Sequence, residues 1–191
     1  MKVLADYMSD PKISTQHGVK GESHDTVVFV ADNSRSNPVV HMSKFFETWS
    51  NIDITLSEFD AFYYIYSRML NQIENKIGMK CSQLKADTYI SVASIIDEEL
   101  RVFINKNETN PYYIQLLKGK MDKYFGKKNV TNVKECLKEG TVYGPLCAYR
   151  LFYVGCSRAK RNLVIMINKK DIEGFEDKLR DKLMITGFNV L

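Results

Sequence analysis

Two short polar segments of this chain contain side chains that could handle phosphate groups. Residues 13–23 include a threonine, a histidine and a lysine-glycine pair, and residues 150–161 include a serine and four basic side chains. Hydroxyl, imidazole and guanidinium groups can all donate hydrogen bonds to phosphate oxygens, and a guanidinium does so with a planar fork that stays charged. The two segments therefore indicate chemistry on a nucleotide or a nucleic acid.

Each polar segment precedes an apolar run that has the composition of a β-strand. The runs cover residues 26–31 and 163–167, and both are rich in β-branched side chains. Open α/β sheets bind their ligands beyond the carboxyl ends of the strands. We therefore expect both strands to share one sheet, with Thr15 and Arg158 close together at its carboxyl edge.

The first segment resembles motif V of a helicase family, T-x-H-x-x-K-G-x-E. The matching residues are Thr15, His17, Lys20, Gly21 and Glu22. The second segment resembles motif VI of the same family, R-x-L-x-Y-V-A-x-T-R-A-K. The matching residues are Arg150, Tyr153, Val154, Ser157, Arg158, Ala159 and Lys160.

The two motifs occur in the family's order, and together they make the chain similar to the UvrD/Rep-like superfamily 1 DNA helicases. The resemblance covers residues 12–32 and 145–168 and implies an α/β fold. It implies a RecA-like parallel sheet, the C-terminal half of a P-loop helicase motor, with a helical insertion. Residues 1–40 and 141–191 would form the RecA-like domain, and residues 41–140 the insertion.

The resemblance also implies a nucleotide site. Arg158 would be the catalytic arginine finger that contacts ATP, and Gly21 and Glu22 would lie near the nucleotide. The family has one residue between this glycine and glutamate, whereas Glu22 follows Gly21 directly. Either Glu22 or Ser23 could therefore occupy the ribose-contacting position. On residue type alone, Arg158 could instead be a salt-bridged arginine at a helix end.

A DNA-binding role is implied for Thr15, His17 and Lys20. A hydroxyl and an imidazole can bind phosphate oxygens without reading the base sequence, which suits a motor that moves along a strand. Lys20 could bind phosphate or pair with an acidic group of another domain. A histidine such as His17, taken alone, is more often an ordinary surface residue.

The sequence lacks the phosphate loop of such a motor, because no G-x-x-x-x-G-K-[ST] string occurs in it. The implied partners are an N-terminal helicase domain that holds ATP and Mg²⁺, single-stranded DNA, and a nuclease subunit in a DNA-repair or phage-defence setting. We expect the chain alone to be inactive, as an excised domain or a natural truncation would be. The alternative is a non-enzymatic nucleic-acid-binding or protein-docking module on a RecA-like scaffold.

Composition narrows the class of protein. No run of about 18 apolar residues occurs, and the first residues do not form a signal peptide, so we expect a cytoplasmic protein with no membrane partner. The four cysteines match no metal or redox spacing, which favours free thiols. Three histidines without paired spacing give no reason to expect zinc.

Between the motifs the pattern is helical. Apolar residues recur at intervals of three and four along residues 45–49 and 59–73, and Ser57 with Asp60 predicts a cap for the second of these helices. A third helix over residues 84–104 would place Ile90 on its apolar stripe with Ala93, Ile96 and Leu100.

Residues 117–128 hold five lysines interleaved with Tyr124 and Phe125. Lysines with aromatic rings suit single-stranded nucleic acid, but the same composition describes an ordinary exposed loop. The surplus of basic over acidic residues from position 111 onward could bind a polyanion or form a solvated helix face.

Near the C-terminus, Pro145 predicts the start of a helix that runs to Arg158. A further amphipathic helix is expected over residues 171–183, and residues 187–191 could add an edge strand.

Overall fold

The structure is a computed structural model, and it describes residues 23–34 and 39–191. In this part of the chain the protein is mostly helical and contains a small parallel sheet, so it is α/β in the broad sense. In chain order the elements are β1 His24–Ala31, α1 Met42–Asn51, α2 Leu56–Ile77, a 3-10 turn Cys81–Gln83, α3 Ala86–Asn107, α4 Pro111–Tyr113, a π-helical turn Ile114–Lys118, α5 Gly119–Gly126, α6 Val130–Cys136, α7 Gly140–Cys156, β2 Ala159–Ile167, a 3-10 turn Lys169–Ile172 and α8 Glu176–Ile185.

The two predicted strands do pair in one parallel sheet. Val28 lies opposite Val164 and Val30 opposite Met166, and β1 and β2 are the two strands found in the described residues. Phe29 and Ile165 pack into the core beneath the sheet, whereas Val30 and Met166 are exposed. This alternation follows from the two-residue period of a strand.

Two hydrophobic clusters organise the described residues. The sheet-side core joins β1, α1, the second half of α7 and α8, and its buried members include Ala31, Phe45, Phe46, Phe152 and Leu179. The helical core joins α2 to α6 and the first half of α7, and its buried members include Phe62, Tyr66, Leu100, Leu117 and Leu146. Helix α1 thus packs with the sheet, although it falls within the predicted insertion at residues 41–140.

The predicted cap of α2 was wrong by two residues. The helix begins after Thr55, whose Oγ1 accepts a hydrogen bond from the backbone N–H of Glu58 at 3.2 Å and donates one to the Glu58 carboxylate at 2.7 Å. Ser57 is the second residue of the helix and Asp60 the fifth. Thr55 is the cap because its backbone has the extended conformation of a residue that precedes a helix. Its side-chain oxygen can therefore accept a hydrogen bond from an N–H group of the first turn.

The apolar stripe of α3 also differs from the prediction. Ile90 is 79% exposed, whereas Ile96 and Leu100 are fully buried as expected. Tyr89 and Phe103 complete the buried stripe. The larger aromatic residue beside Ile90 takes the inward position, because its hydroxyl has a buried partner in Tyr124, at 3.0 Å.

Helix α7 begins at Gly140, and Pro145 lies inside it, contrary to the predicted start. Val142 and Leu146 on either side of the proline are fully buried in the helical core. Burial of these side chains outweighs the loss of one backbone hydrogen bond at the proline.

The C-terminal predictions were partly wrong. Gly174, with a φ of 90°, separates the 3-10 turn from α8, so the expected single helix over residues 171–183 is interrupted. Residues 187–191 form no strand; instead Phe188 and Val190 pack against the sheet-side core. None of the helices found in residues 23–34 and 39–191 is both long and apolar enough to cross a bilayer.

Candidate nucleotide and nucleic-acid site

Five of the six predicted site residues lie outside the part of the chain that the structure describes. These are Thr15, His17, Lys20, Gly21 and Glu22. Their roles remain predictions from the sequence, and the geometry of the candidate site is that of Arg158 and its surroundings.

The backbone of Arg158 is fixed between a helix end and a strand start. Helix α7 ends at Cys156, and the Ser157 N–H still donates to the carbonyl oxygen of Tyr153 at 2.9 Å. The Arg158 carbonyl oxygen accepts a hydrogen bond from the backbone N–H of His24 at 2.9 Å. This bond ties Arg158 to the first residue of β1, which directly follows the motif V segment in sequence.

Close packing of α7 on β1 fixes the distance between this helix end and the strand. A Cβ atom added at Gly155 would lie 2.4 Å from Cδ2 of Phe29, so the helix approaches the ring more closely than any other residue type would allow. The Phe29 ring also meets the Phe152 ring edge-on, with centroids 5.8 Å apart. Gly155 and Phe152 are three residues apart and form one contact face against the strand.

The Arg158 side chain is half-buried and forms neither an ion pair nor a side-chain hydrogen bond with any residue that the structure describes. Arg150, earlier in the same motif and inside α7, does form an ion pair, with Asp60. Lys160 and Arg161 follow Arg158 and are exposed, again without an acidic partner among the described residues. Three neighbouring cations thus lie at the start of β2.

The edge at which Arg158 lies differs from the expectation. Relative to β1 and β2 it lies at the amino edge, because the motif VI segment precedes β2 and the two strands run parallel. The expected carboxyl edge is therefore wrong for Arg158, whereas Thr15 lies outside the described residues. At the opposite edge, the Asn33 side chain accepts hydrogen bonds from the N–H and Oγ of Ser43, both at 3.2 Å, and so occupies the first turn of α1.

The surroundings of Arg158 suit a phosphate only in part. Helix α7 presents its C-terminal end there, where backbone carbonyls carry partial negative charge that stabilises a nearby cation. No helix N-terminus supplies N–H groups at this edge in the described residues. The described surroundings of Arg158 therefore offer a cation, but no helix N–H groups that could cradle a phosphate.

The lysine-rich segment at residues 117–128 is neither a stacking platform nor a loop. It is helical, and Tyr124 is fully buried, with its hydroxyl bonded to Tyr89 and Asp97. The Phe125 ring is half-buried beneath Arg101, whose guanidinium carbon lies 4.6 Å from the ring centroid. The base-stacking interpretation is therefore wrong for Tyr124, and Arg101 covers part of the Phe125 ring.

Three of the four cysteine thiols have a raised pKa because they are buried. Burial raises the pKa of the Cys81 and Cys136 thiols to about 12 and that of Cys156 to about 11. No three histidine, cysteine or carboxylate side chains come together as a metal site in residues 23–34 and 39–191.

No family model, no curated protein and no solved structure matches this chain.

Proposed function

We propose that this chain is the C-terminal motor part of an ATP-dependent DNA helicase or translocase of the UvrD/Rep-like kind, built on a RecA-like sheet. The observation that carries the proposal is Arg158, a cation held at the amino edge of the sheet beside the start of β1 with no acidic partner among the described residues. An arginine placed in this way can enter a pocket shared with a second domain and neutralise charge on a phosphoryl group in transfer.

The other site residues follow from the motif resemblance. Gly21 and Glu22 lie near the nucleotide, and Thr15, His17 and Lys20 contact the DNA backbone. ATP supplies the phosphoryl group, and Mg²⁺ is held by the partner domain that carries the phosphate loop. This chain's own contribution is the guanidinium of Arg158 and the contacts that fix its backbone to β1.

The test is ATP hydrolysis by the native assembly, purified through a tag on this chain, with and without single-stranded DNA. Arg158→Lys keeps the charge but loses the planar fork, and arginine fingers contribute about 10³ to 10⁵ in kcat. We expect at least a 100-fold loss of DNA-stimulated kcat. Arg101→Lys, on α3 against Phe125, is the matched control and should leave kcat unchanged. Hydrolysis that is unaffected by Arg158→Lys would refute the proposal.

The small sheet favours one different class of function. Only two strands occur in the described residues, which also suits a non-enzymatic nucleic-acid-binding or protein-docking module. Such a module would bind DNA or protein without nucleotide turnover in its native assembly. Its binding would not depend on the distinction between arginine and lysine at position 158.

A further inference from the structure

Two helices present side chains at the spacing that lines up one face of a helix. Helix α2 has Asp60, Tyr64 and Arg68 at intervals of four, and α7 has Arg150 and Val154 at the same interval. Residues four apart lie on one side of a helix, about 6 Å along its axis. Each helix therefore carries a short straight row.

The two rows join end to end. Asp60 on α2 forms an ion pair with Arg150 on α7. The helices run antiparallel, because Asp60 faces Arg150 while Tyr63, further along α2, packs its ring on Tyr143, nearer the start of α7, with ring centroids 5.0 Å apart. Residue numbers that rise along α2 therefore correspond to falling residue numbers along α7. The α2 row leads away from the ion pair in one direction, and the α7 row leads away from it in the opposite direction.

We call this line the arginine–tyrosine row, and its members in spatial order are Arg68, Tyr64, Asp60 with Arg150, and Val154. Three steps of about 6 Å give it a length of about 18 Å before the crossing at the ion pair is added. Its α7 end points along the helix toward Arg158. The row lies outside the residues that match the helicase motifs, except for Arg150 and Val154.

The exposure and charge of the row suit a single strand of nucleic acid. Tyr64 is 69% exposed, and Arg68 is exposed without an acidic partner among the described residues. Asp60 is compensated by Arg150, so the row carries a net positive charge. An exposed ring one helical turn from an arginine such as Arg68 is a combination in which the ring can stack on a base and the guanidinium group can hold a phosphate.

We propose that the arginine–tyrosine row binds single-stranded DNA and leads the strand across α2 and α7 toward the edge where Arg158 lies. The proposal rests on the proposed function for the identity of the ligand. It places the aromatic contact of the helical region at Tyr64, whereas the sequence had suggested Tyr124 and Phe125.

The experiment measures binding of the full chain to a fluorescently labelled oligo(dT) strand by anisotropy, with a hairpin duplex of equal length for comparison. Base–aromatic stacking contributes about 1–3 kcal/mol per base, so Tyr64→Ala should weaken single-strand binding about 5- to 150-fold. Tyr64→Phe keeps the ring and should bind within twofold of the wild type. Duplex binding should barely change, because its bases are already stacked.

Charge variants test the proposal independently, because they should change the affinity for the strand in opposite directions. Arg68→Ala should lower affinity and reduce the dependence of log K on log salt by about one unit, as expected for one lost phosphate contact. Asp60→Asn removes the carboxylate from the row and should raise affinity. Ile90→Ala, which alters a side chain 79% exposed on α3 and outside the row, is the control and should have no effect.

Two results would overturn the inference. One is wild-type affinity for oligo(dT) in both Tyr64→Ala and Arg68→Ala, and the other is a failure of the folded chain to bind the strand at all. If the true ligand of the row were a protein, the folded chain would likewise fail to bind the strand. The proposed function is judged separately, by the effect of Arg158→Lys on hydrolysis.

Discussion

Replacement of Gly155 by alanine tests the contact that holds the end of α7, and with it Arg158, against β1. An added Cβ would lie 2.4 Å from Cδ2 of Phe29, about 1 Å inside ordinary van der Waals contact. The ring cannot retreat freely, because Phe152 packs on it edge-on at 5.8 Å. Overpacking of this kind costs about 1–3 kcal/mol, and we expect the upper part of that range.

The helix itself responds in the opposite direction. Alanine stabilises a helix interior by about 1 kcal/mol relative to glycine, so the net loss for Gly155→Ala should be about 2 kcal/mol. Gly119→Ala is the matched control, since Gly119 is also helical and a Cβ there meets no atom within 4 Å. That variant should gain up to about 1 kcal/mol. The two substitutions should therefore change stability in opposite directions.

Urea denaturation followed by the fluorescence of Trp49 is a direct assay. Trp49 is the single tryptophan, and its ring lies 5.7 Å from that of Phe152 in the sheet-side core. With a slope of about 2–3 kcal/mol per molar urea, the midpoint for Gly155→Ala should fall by about 0.7–1 M. Adding Phe29→Leu should recover part of the loss attributed to overpacking. Stabilisation of Gly155→Ala, as in Gly119→Ala, would show that α7 does not pack on Phe29 in this way.

Three further predictions concern the rest of the described structure. Thr55→Ala should lower the free energy of unfolding by about 1 kcal/mol, whereas Ser57→Ala should change it by less than about 0.5 kcal/mol; equal effects in thermal or urea melts would contradict the assignment of the cap. Burial, with a smaller contribution from two nearby lysines, lowers the pKa of His41, so the unfolded chain binds more protons below pH 6.5, and stability should fall as the pH drops through that region. His41→Gln should flatten this dependence, and an unchanged slope would refute it. The raised pKa of Cys81 and Cys136, about 12 for each, predicts slow alkylation at pH 8 that becomes fast in urea, as mass spectrometry would show.

Local patterns predicted the elements well where one periodicity dominates. The apolar runs rich in β-branched residues became β1 and β2, and the aromatic spacing of residues 59–73 became α2 with Phe62 and Tyr66 buried. The parallel pairing was also predictable, because a long helical connection separates the two strands. These features depend on the sequence next to each element.

The predictions were wrong where contacts between residues far apart in sequence determine the structure. Tyr124 looked like an exposed ring among lysines, but its hydroxyl has buried partners on α3, which no local pattern reveals. Pro145 resembled a helix start until the burial of Val142 and Leu146 extended α7 backward. The spacing of Asp60 and Tyr64 was readable from the sequence, but their alignment with Arg150 required the antiparallel packing of two helices.

Helix α7 explains why the candidate nucleotide contact and the arginine–tyrosine row belong to one structural unit. Leu146 lies in the helical core and Phe152 in the sheet-side core, so a single helix passes through both clusters. Its outer side carries Arg150 and Val154, and its last turn leads into Arg158 and the hydrogen bond to His24. A strand bound along the row would contact the same helix that positions the arginine at the sheet edge. Separate measurement of DNA binding in Tyr64 variants and of hydrolysis in Arg158 variants therefore tests two sites that α7 connects, one on α2 across the Asp60–Arg150 ion pair and one just beyond the last turn of α7.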